Sequence, residues 1–317
     1  VSKTILYLGP ADLTEHVRTC LGDGFAVHHA DTDAATDAVL PAVDAVLDAL
    51  MRIRFPADRI ARARRLRAYV TATTGADHVD AAALATRNIP LLTLKGRTDV
   101  LRNITPAAEL SWLLLMACAR KLRGAVRHVL DGGWDRNLFP GVMLRGRTIG
   151  IVGCGRIGQW MGRYAEAFGL RRLGFDPHLP SADWPAHIEP CPLEDLLRQC
   201  DFLTIHVPLT DETRGLIGPR ELACMKPTAA VVNTSRGGIV DESALLAALR
   251  DGRIAAAGLD VLDGEPDTAR HPLVEYARTH DNLVITPHIG GMSPDALRYV
   301  LEFSAGRVRE ALAVPSA

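Results

Sequence analysis

The sequence contains no run approaching the ~18 uninterrupted apolar residues of a membrane span, and Val1-Ser2-Lys3-Thr4-Ile5-Leu6 lacks the charged-then-apolar order of a secretory signal. No membrane partner is expected. Cysteine is sparse and irregular. Cys20, Cys118, Cys154, Cys191, Cys200 and Cys224 form no C-x-x-C pair, which argues against a zinc site or a disulfide framework. No metal is expected, and a reducing cytoplasm suits such thiols. Surplus charge is missing too: a formal net charge of −1 gives no global attraction to nucleic acid, so that partner is also set aside. Lysine is confined to Lys3, Lys95, Lys121 and Lys226, leaving arginine to carry the positive charge. Any anion must be held by a local site, and the partner should be small.

What is present is globular. Hydrophobic residues make up 48% and charged residues 23% of 317 positions, a length that favours two domains over one core. Short apolar runs rich in β-branched residues alternate with helical patterns throughout, the signature of βαβ units and parallel sheets. Candidate strands in the first hundred residues are 4–8, 25–28, 45–50, 68–71 and 91–94. Thr105-Pro106 then reads as an N-cap followed by proline at the first helical position, opening a long helix to about Asp131, before Gly132-Gly133. A second series of six strands follows at 148–152, 172–175, 202–206, 229–233, 256–259 and 283–286, enough for a doubly wound sheet. Ser293-Pro294-Asp295 starts a closing helix to Ala313 that can return to the first domain. The expected fold class is α/β: two Rossmann-like or flavodoxin-like domains, each a doubly wound parallel sheet, with a cleft between them. The expected division is 1–103 plus about 292–317 as the substrate-binding domain, discontinuous in sequence, and 104–291 as the nucleotide-binding domain.

The segment Thr148-Ile149-Gly150-Ile151-Val152-Gly153-Cys154-Gly155-Arg156-Ile157-Gly158 is a buried strand running into G-x-G-x-x-G. In a dinucleotide site Gly153 permits the tight turn, Gly155 admits a pyrophosphate to the backbone, and Gly158 allows close helix packing. The first helical N–H groups, from Arg156 and Ile157 onward, then face the anion. Ile157, Met161, Tyr164, Ala165 and Phe168 share one helical face, and Gly169 supplies a stop. Alone the glycine pattern is weak; Asp176, 18 positions after Gly158 at the end of the next strand, gives it weight. A carboxylate there binds a ribose 2′-hydroxyl and repels a 2′-phosphate, so the expected cofactor is NAD.

Three further segments place polar residues at the ends of apolar runs, where the crevice of an open α/β sheet lies. They are Val231 to Asp241, Gly258 to Pro266, and Ile285-Thr286-Pro287-His288-Ile289-Gly290-Gly291. Arg236 offers a planar fork for a carboxylate. His288 can take a hydroxyl proton as hydride leaves and return it in the reverse direction.

With these motifs the chain resembles the D-2-hydroxyacid dehydrogenase family, which includes 3-phosphoglycerate dehydrogenases, formate dehydrogenases and C-terminal-binding-protein corepressors. Asp201-Phe202-Leu203-Thr204-Ile205-His206-Val207-Pro208-Leu209-Thr210 through Thr213-Arg214 is similar to the family as well. The resemblance implies a catalytic set of Arg236, Glu265 and His288, with Glu265 holding the imidazolium. It implies cofactor contacts from Val207, Pro208, Thr213, Thr234, Ser235, Arg236, Asp260, His288 and Gly290, besides the glycine loop and Asp176. Asp260 can alternatively cap a turn. Thr73-Thr74-Gly75-Ala76-Asp77-His78-Val79-Asp80 is similar to the family's substrate loop, whose N–H groups at Thr74, Gly75 and Ala76 would bind a carboxylate together with Arg236 and His288. The plainer reading is a glycine turn into a helix capped by Asp77, with His78 structural. Glu109 matches a recurrent family glutamate or simply favours the helix dipole.

Within the family, formate dehydrogenases pair the active-site histidine with glutamine, so Glu265 counts against formate. Phosphite dehydrogenases carry lysine where Thr74 stands. The run Gly96 to Glu109 resembles a phosphoglycerate-dehydrogenase-like subgroup, and Lys95, Arg97 and Arg102 suit either a phosphate or phosphonate or plain solvated charge. The implied function is hydride transfer between NAD and the hydroxyl-bearing carbon of a small 2-hydroxy acid or related anion. A NAD-sensing binding protein of the corepressor kind is the alternative from another class. The long helix and the family's usual assembly imply a homodimer.

Overall fold

In a computed structural model of the chain, residues 2–102 and 104–313 are described. Backbone contacts divide it into two compact units, Val1–Ile104 with Met292–Ala317, and Thr105–Gly291.

In the first unit five parallel strands, β1 (Lys3–Leu8), β2 (Phe25–His29), β3 (Ala45–Asp48), β4 (Ala68–Thr71) and β5 (Leu91–Leu92), are ordered β2-β1-β3-β4-β5. Because both faces are covered, the strands read as continuous apolar runs rather than alternating ones. Ile5, Tyr7, Ala45, Leu47 and Val70 point to one face, where helices Thr14–Leu21 and Pro294–Ala313 pack. Leu6, Leu8, Val46 and Tyr69 point to the other, joined by Ile60 and Leu84. The closing helix supplies Leu297, Val300, Leu301, Ala305, Val308 and Leu312 at helical spacing. Each large side chain so buried contributes about 1.5–3 kcal/mol.

The second unit has seven parallel strands where six were expected: β6 (Thr148–Val152), β7 (Arg171–Phe175), β8 (Glu189–Pro190), β9 (Phe202–Ile205), β10 (Ala230–Asn233), β11 (Ala256–Leu259) and β12 (Leu283–Ile285), ordered β12-β11-β10-β9-β6-β7-β8. The addition, β8, has only two residues, and its proline confines it to the sheet edge. The strand order reverses between β6 and β9, which places the crevice of this sheet at their carboxyl ends.

The single long helix expected to reach Asp131 is two helices, Pro106–Ala119 and Leu122–Leu130. Lys121 between them sits in the left-handed region at φ 50°, which ends the first hydrogen-bond ladder at Arg120. Nor does the Thr105 side chain cap the first helix; its hydroxyl turns to the Glu109 carboxylate at 2.5 Å. No helix among the described residues is long and apolar enough to cross a membrane.

Candidate active site

The glycine loop leaves β6 with Gly153 at φ 90°, where a side chain would also strike the His206 carbonyl at 2.6 Å. A methyl on Gly158 would come within 2.0 Å of the Gly153 carbonyl, so the helix Arg156–Ala167 packs directly on the turn. Gly155 faces open space. It is the N-cap and makes no side-chain cap bond, so the first-turn N–H groups of that helix are left to an incoming anion. Ile157 turns its side chain into the core, leaving its backbone to the loop. Burial holds Arg156 below the usual guanidinium pKa. Phe168, expected on the buried face, lies just beyond the helix and is 45% exposed against Trp112.

Asp176 follows β7 and leans back over this loop. Its Oδ2 accepts from Cys154 N at 3.0 Å and its Oδ1 from His178 N at 3.1 Å. Opposite, the chain after β9 is drawn in by Thr213, whose hydroxyl donates to the Pro208 carbonyl at 2.6 Å, while Val207 lies under Gly153. An open glycine face, an uncapped helix start and a carboxylate at the neighbouring strand end together fit a dinucleotide.

The remaining polar residues of this unit sit on the turns after β10, β11 and β12. Asn233 braces the first turn by donating to the Arg236 carbonyl at 2.9 Å and accepting from Ser235 N at 3.0 Å. The Ser235 hydroxyl reaches the Ile205 carbonyl at 2.7 Å, and one Arg236 Nη donates to the Ser235 carbonyl at 2.8 Å. Thr234 faces inward, its hydroxyl on that of Ser111 at 2.6 Å. Gly237 lets this turn meet the next one, since a methyl there would lie 2.2 Å from Asp263 N. Along that second turn stands Glu265, whose Oε1 is 2.7 Å from His288 Nδ1. Both side chains stay partly open, at 31% and 39% exposure.

Asp260 holds the histidine turn from below. Its carboxylate accepts from Ile289 N at 2.9 Å, Gly290 N at 2.8 Å and the Thr286 hydroxyl at 2.5 Å, while its carbonyl accepts from His288 N at 2.8 Å. Burial raises its carboxyl pKa against these bonds. The turn-capping reading of Asp260 is therefore what the geometry displays. Such a brace also sustains His288 at φ 54°, a left-handed conformation costly for a side-chain-bearing residue.

In the first unit the loop after β4 carries Thr74, Gly75 and Ala76, whose N–H groups meet no acceptor among the described residues. The Thr73 hydroxyl shapes it by donating to the Gly75 carbonyl at 2.7 Å. The following helix, Ala81–Thr86, is capped by Asp80 and not by Asp77; the Asp80 Oδ1 accepts from Ala83 N at 2.8 Å. His78 is structural in a definite way. Its Nε2 lies 2.6 Å from Oδ2 of fully buried Asp48, which also accepts from the Tyr69 hydroxyl at 2.9 Å. The other Asp48 oxygen accepts from Leu50 N and Met51 N at 2.9 and 3.0 Å.

Sequence reasoning passed over Asn233, Ser111, Asp48 and Tyr69, all of them supports rather than ligands. Asn233 and Asp48 end strands, a position that could have marked them. It also gave no role to His206, which follows β9 with Nε2 2.7 Å from the Thr204 hydroxyl and Nδ1 buried without a partner among the described residues. Burial pushes its pKa down from 6.5 to about 3.

Residues 112–290 match the family model described as D-isomer specific 2-hydroxyacid dehydrogenase, NAD binding domain. Among curated relatives, a hydroxypyruvate reductase of Thermotoga maritima is 36% identical over 264 residues, 83% of this chain and 82% of its own. A D-3-phosphoglycerate dehydrogenase of Methanocaldococcus jannaschii is 36% identical over 257 residues, 80% of this chain, and the match spans only 47% of that longer protein. Among solved structures, the TT0316 protein of Thermus thermophilus superposes with a TM-score of 0.82 at 32% identity, covering 98% of this chain and 97% of the other.

Proposed function

The chain belongs to the D-isomer-specific 2-hydroxyacid dehydrogenase family, and on that premise we propose that it is an NAD-dependent oxidoreductase moving a hydride between nicotinamide and the hydroxyl-bearing carbon of a small 2-hydroxy acid or related anion. The observation that carries this reading is the 2.7 Å contact between His288 Nδ1 and Glu265. It supports a ring that keeps its proton on Nδ1, directed at the carboxylate, with Nε2 turned to the substrate hydroxyl. When bound, NAD supplies the hydride acceptor, or in its reduced form the donor. His288 then takes the hydroxyl proton at Nε2 in oxidation and returns it to the carbonyl oxygen in reduction, with Glu265 orienting the ring and offsetting its charge. Arg236 is the carboxylate clamp, a bidentate fork that lysine cannot reproduce. The N–H groups of Thr74, Gly75 and Ala76 serve the substrate carboxylate from residues 1–103 plus about 292–317, the substrate domain, while 104–291 holds the cofactor. Asp176 favours NAD over NADP, because a carboxylate placed at the glycine loop repels a 2′-phosphate.

A homodimer in a reducing, cytoplasmic setting completes the proposal. It is supported by six free thiols and by apolar side chains exposed on and beyond the paired helices, among them Leu130 at 81% and Trp134 at 89%. Light scattering showing only monomer at micromolar concentration would remove the dimer.

The main test follows NADH absorbance with hydroxypyruvate, glyoxylate, pyruvate and phosphorylated or phosphonate analogues. Turnover on at least one, reduced ~10²–10⁴-fold in His288→Asn with NADH affinity retained, is expected. Tight NADH binding without turnover on any member would replace the enzyme by a NAD-sensing binding protein.

A further inference from the structure

Away from these loops, one group of side chains in the first unit has no part in the proposed reaction. His16 and Cys20 stand four residues apart on helix Thr14–Leu21, one turn along the same face. Glu302 meets them from helix Pro294–Ala313. The Cys20 Sγ lies 3.7 Å from His16 Nε2, and Nε2 lies 3.6 Å from Glu302 Oε1. All three atoms fall within 4.8 Å of one another. Among the described residues, neither the Cys20 thiol nor the Glu302 carboxylate has a side-chain partner other than His16.

These separations have a metrical meaning. Zinc bonds of about 2.3 Å to sulfur and about 2.0–2.1 Å to nitrogen or oxygen set tetrahedral edges of roughly 3.3–3.6 Å between ligand atoms. The Sγ–Nε2 edge of 3.7 Å and the Nε2–Oε1 edge of 3.6 Å lie at the upper end of that range or just past it, and the third, within 4.8 Å, closes by rotation of the exposed Glu302 side chain without moving a helix. The donor set of thiolate, imidazole and carboxylate is soft enough to prefer zinc over magnesium or calcium. A fourth position is available to water or to the Arg298 carbonyl, which lies 3.4 Å from His16 Nε2. The Arg309 guanidinium, held on the Cys20 carbonyl at 3.0 Å, balances part of the charge of two anionic ligands.

We infer that His16, Cys20 and Glu302 form a divalent-metal site, selective for zinc, that clips the closing helix to the first helix of the chain. On binding, the His16 ring keeps its proton on Nδ1 and presents the Nε2 lone pair, and the Cys20 thiol loses its proton to solvent as the Zn–S bond forms. The consequence is structural, not catalytic. Linear cysteine spacing could not reveal this site, because it has a single cysteine and its third ligand comes from the other end of the sequence.

The test uses the full chain, kept reduced, stripped with a chelator, desalted and titrated with Co²⁺. One equivalent should develop a thiolate-to-cobalt charge-transfer band in the near ultraviolet with the visible intensity of tetrahedral coordination, and Zn²⁺ should abolish both. Cys20→Ser should lose the charge-transfer band. Glu302→Gln, an exposed change with no bearing on folding, should weaken Co²⁺ binding at least ~10-fold with an unchanged far-ultraviolet spectrum. Zn²⁺ should raise the Tm of the wild type and not of Cys20→Ser. Absence of the band in the wild type, its persistence in Cys20→Ser, or unchanged affinity in Glu302→Gln would each overturn the site.

Discussion

At the carboxyl end of β6 the chain turns from Gly153 to Gly158 on its own backbone, with the Asp176 carboxylate on Cys154 N as its main outside support, whereas at the carboxyl end of β4 the loop from Thr73 to His78 is anchored by Asp48 and Tyr69. The first turn owes its shape to missing atoms: a positive φ at Gly153, and a helix that approaches Gly158 too closely for a methyl. The second owes its shape to a buried carboxylate that gathers Leu50 N and Met51 N from the loop after β3, Tyr69 from β4 itself and His78 from the loop after β4. One is local in sequence, and the other joins residues tens of positions apart. Backbone complementarity suits a ligand group that is always the same, such as a diphosphate. A side-chain brace can be re-tuned without disturbing the sheet beneath it, which suits the half of the molecule that would face a variable substrate.

The contrast can be broken from either side. Gly158→Ala should have the largest effect, because its methyl meets backbone and not a movable side chain. NADH affinity should fall roughly 10–100-fold, about 1.4–2.8 kcal/mol, as measured by fluorescence titration. A variant binding NADH as the wild type does would show that the helix need not touch the turn. Asp48→Asn should leave NADH affinity alone while costing the first unit about 1–3 kcal/mol in denaturant unfolding and raising KM for the oxo acid severalfold. Equal losses for cofactor and substrate would erase the distinction between the two loops.

A third experiment uses pH. His206, beside the glycine turn, is held neutral by burial, with its folded pKa near about 3 against 6.5 for the free ring. The unfolded chain therefore binds a proton below 6.5 that the folded chain refuses. Stability conferred by the neutral ring is complete above that value and is lost as pH falls toward 3, at no more than about 1.4 kcal/mol per unit. His206→Gln should flatten that decline in acid unfolding, and an unaltered slope would place the titrating group elsewhere. The smallest effect is expected at Asp176. Replacement by Ala should reduce the preference for NAD over NADP by roughly 10-fold, or about 1.4 kcal/mol, with kcat for NAD little changed.

The same contrast governs how much could be read from the sequence. The glycine turn, Asp176 and the turns bearing Arg236, Glu265 and His288 were legible because each is a short pattern at a strand end. Apart from β8, the strands of both sheets were legible because burial on both faces makes most of them apolar runs. Elements decided by one residue's conformation or by distant partners were not. Lys121 breaks a helix whose pattern continues across it, and β8 is too short to register as a strand. Asp77 and Asp80 both suit a cap, and only the geometry selects Asp80. The Asp48 brace exists solely through tertiary contact.

The closing helix carries an implication for biosynthesis. Residues Leu297 to Leu312 complete one face of a sheet whose strands precede the second unit in the chain. That sheet must wait, with one apolar face covered only by helix Thr14–Leu21, while the second unit is translated and able to fold as a separate domain. The first unit is thus begun before the second and completed after it, and the growing chain passes through an interval in which the incomplete first unit is the part most in need of a chaperone.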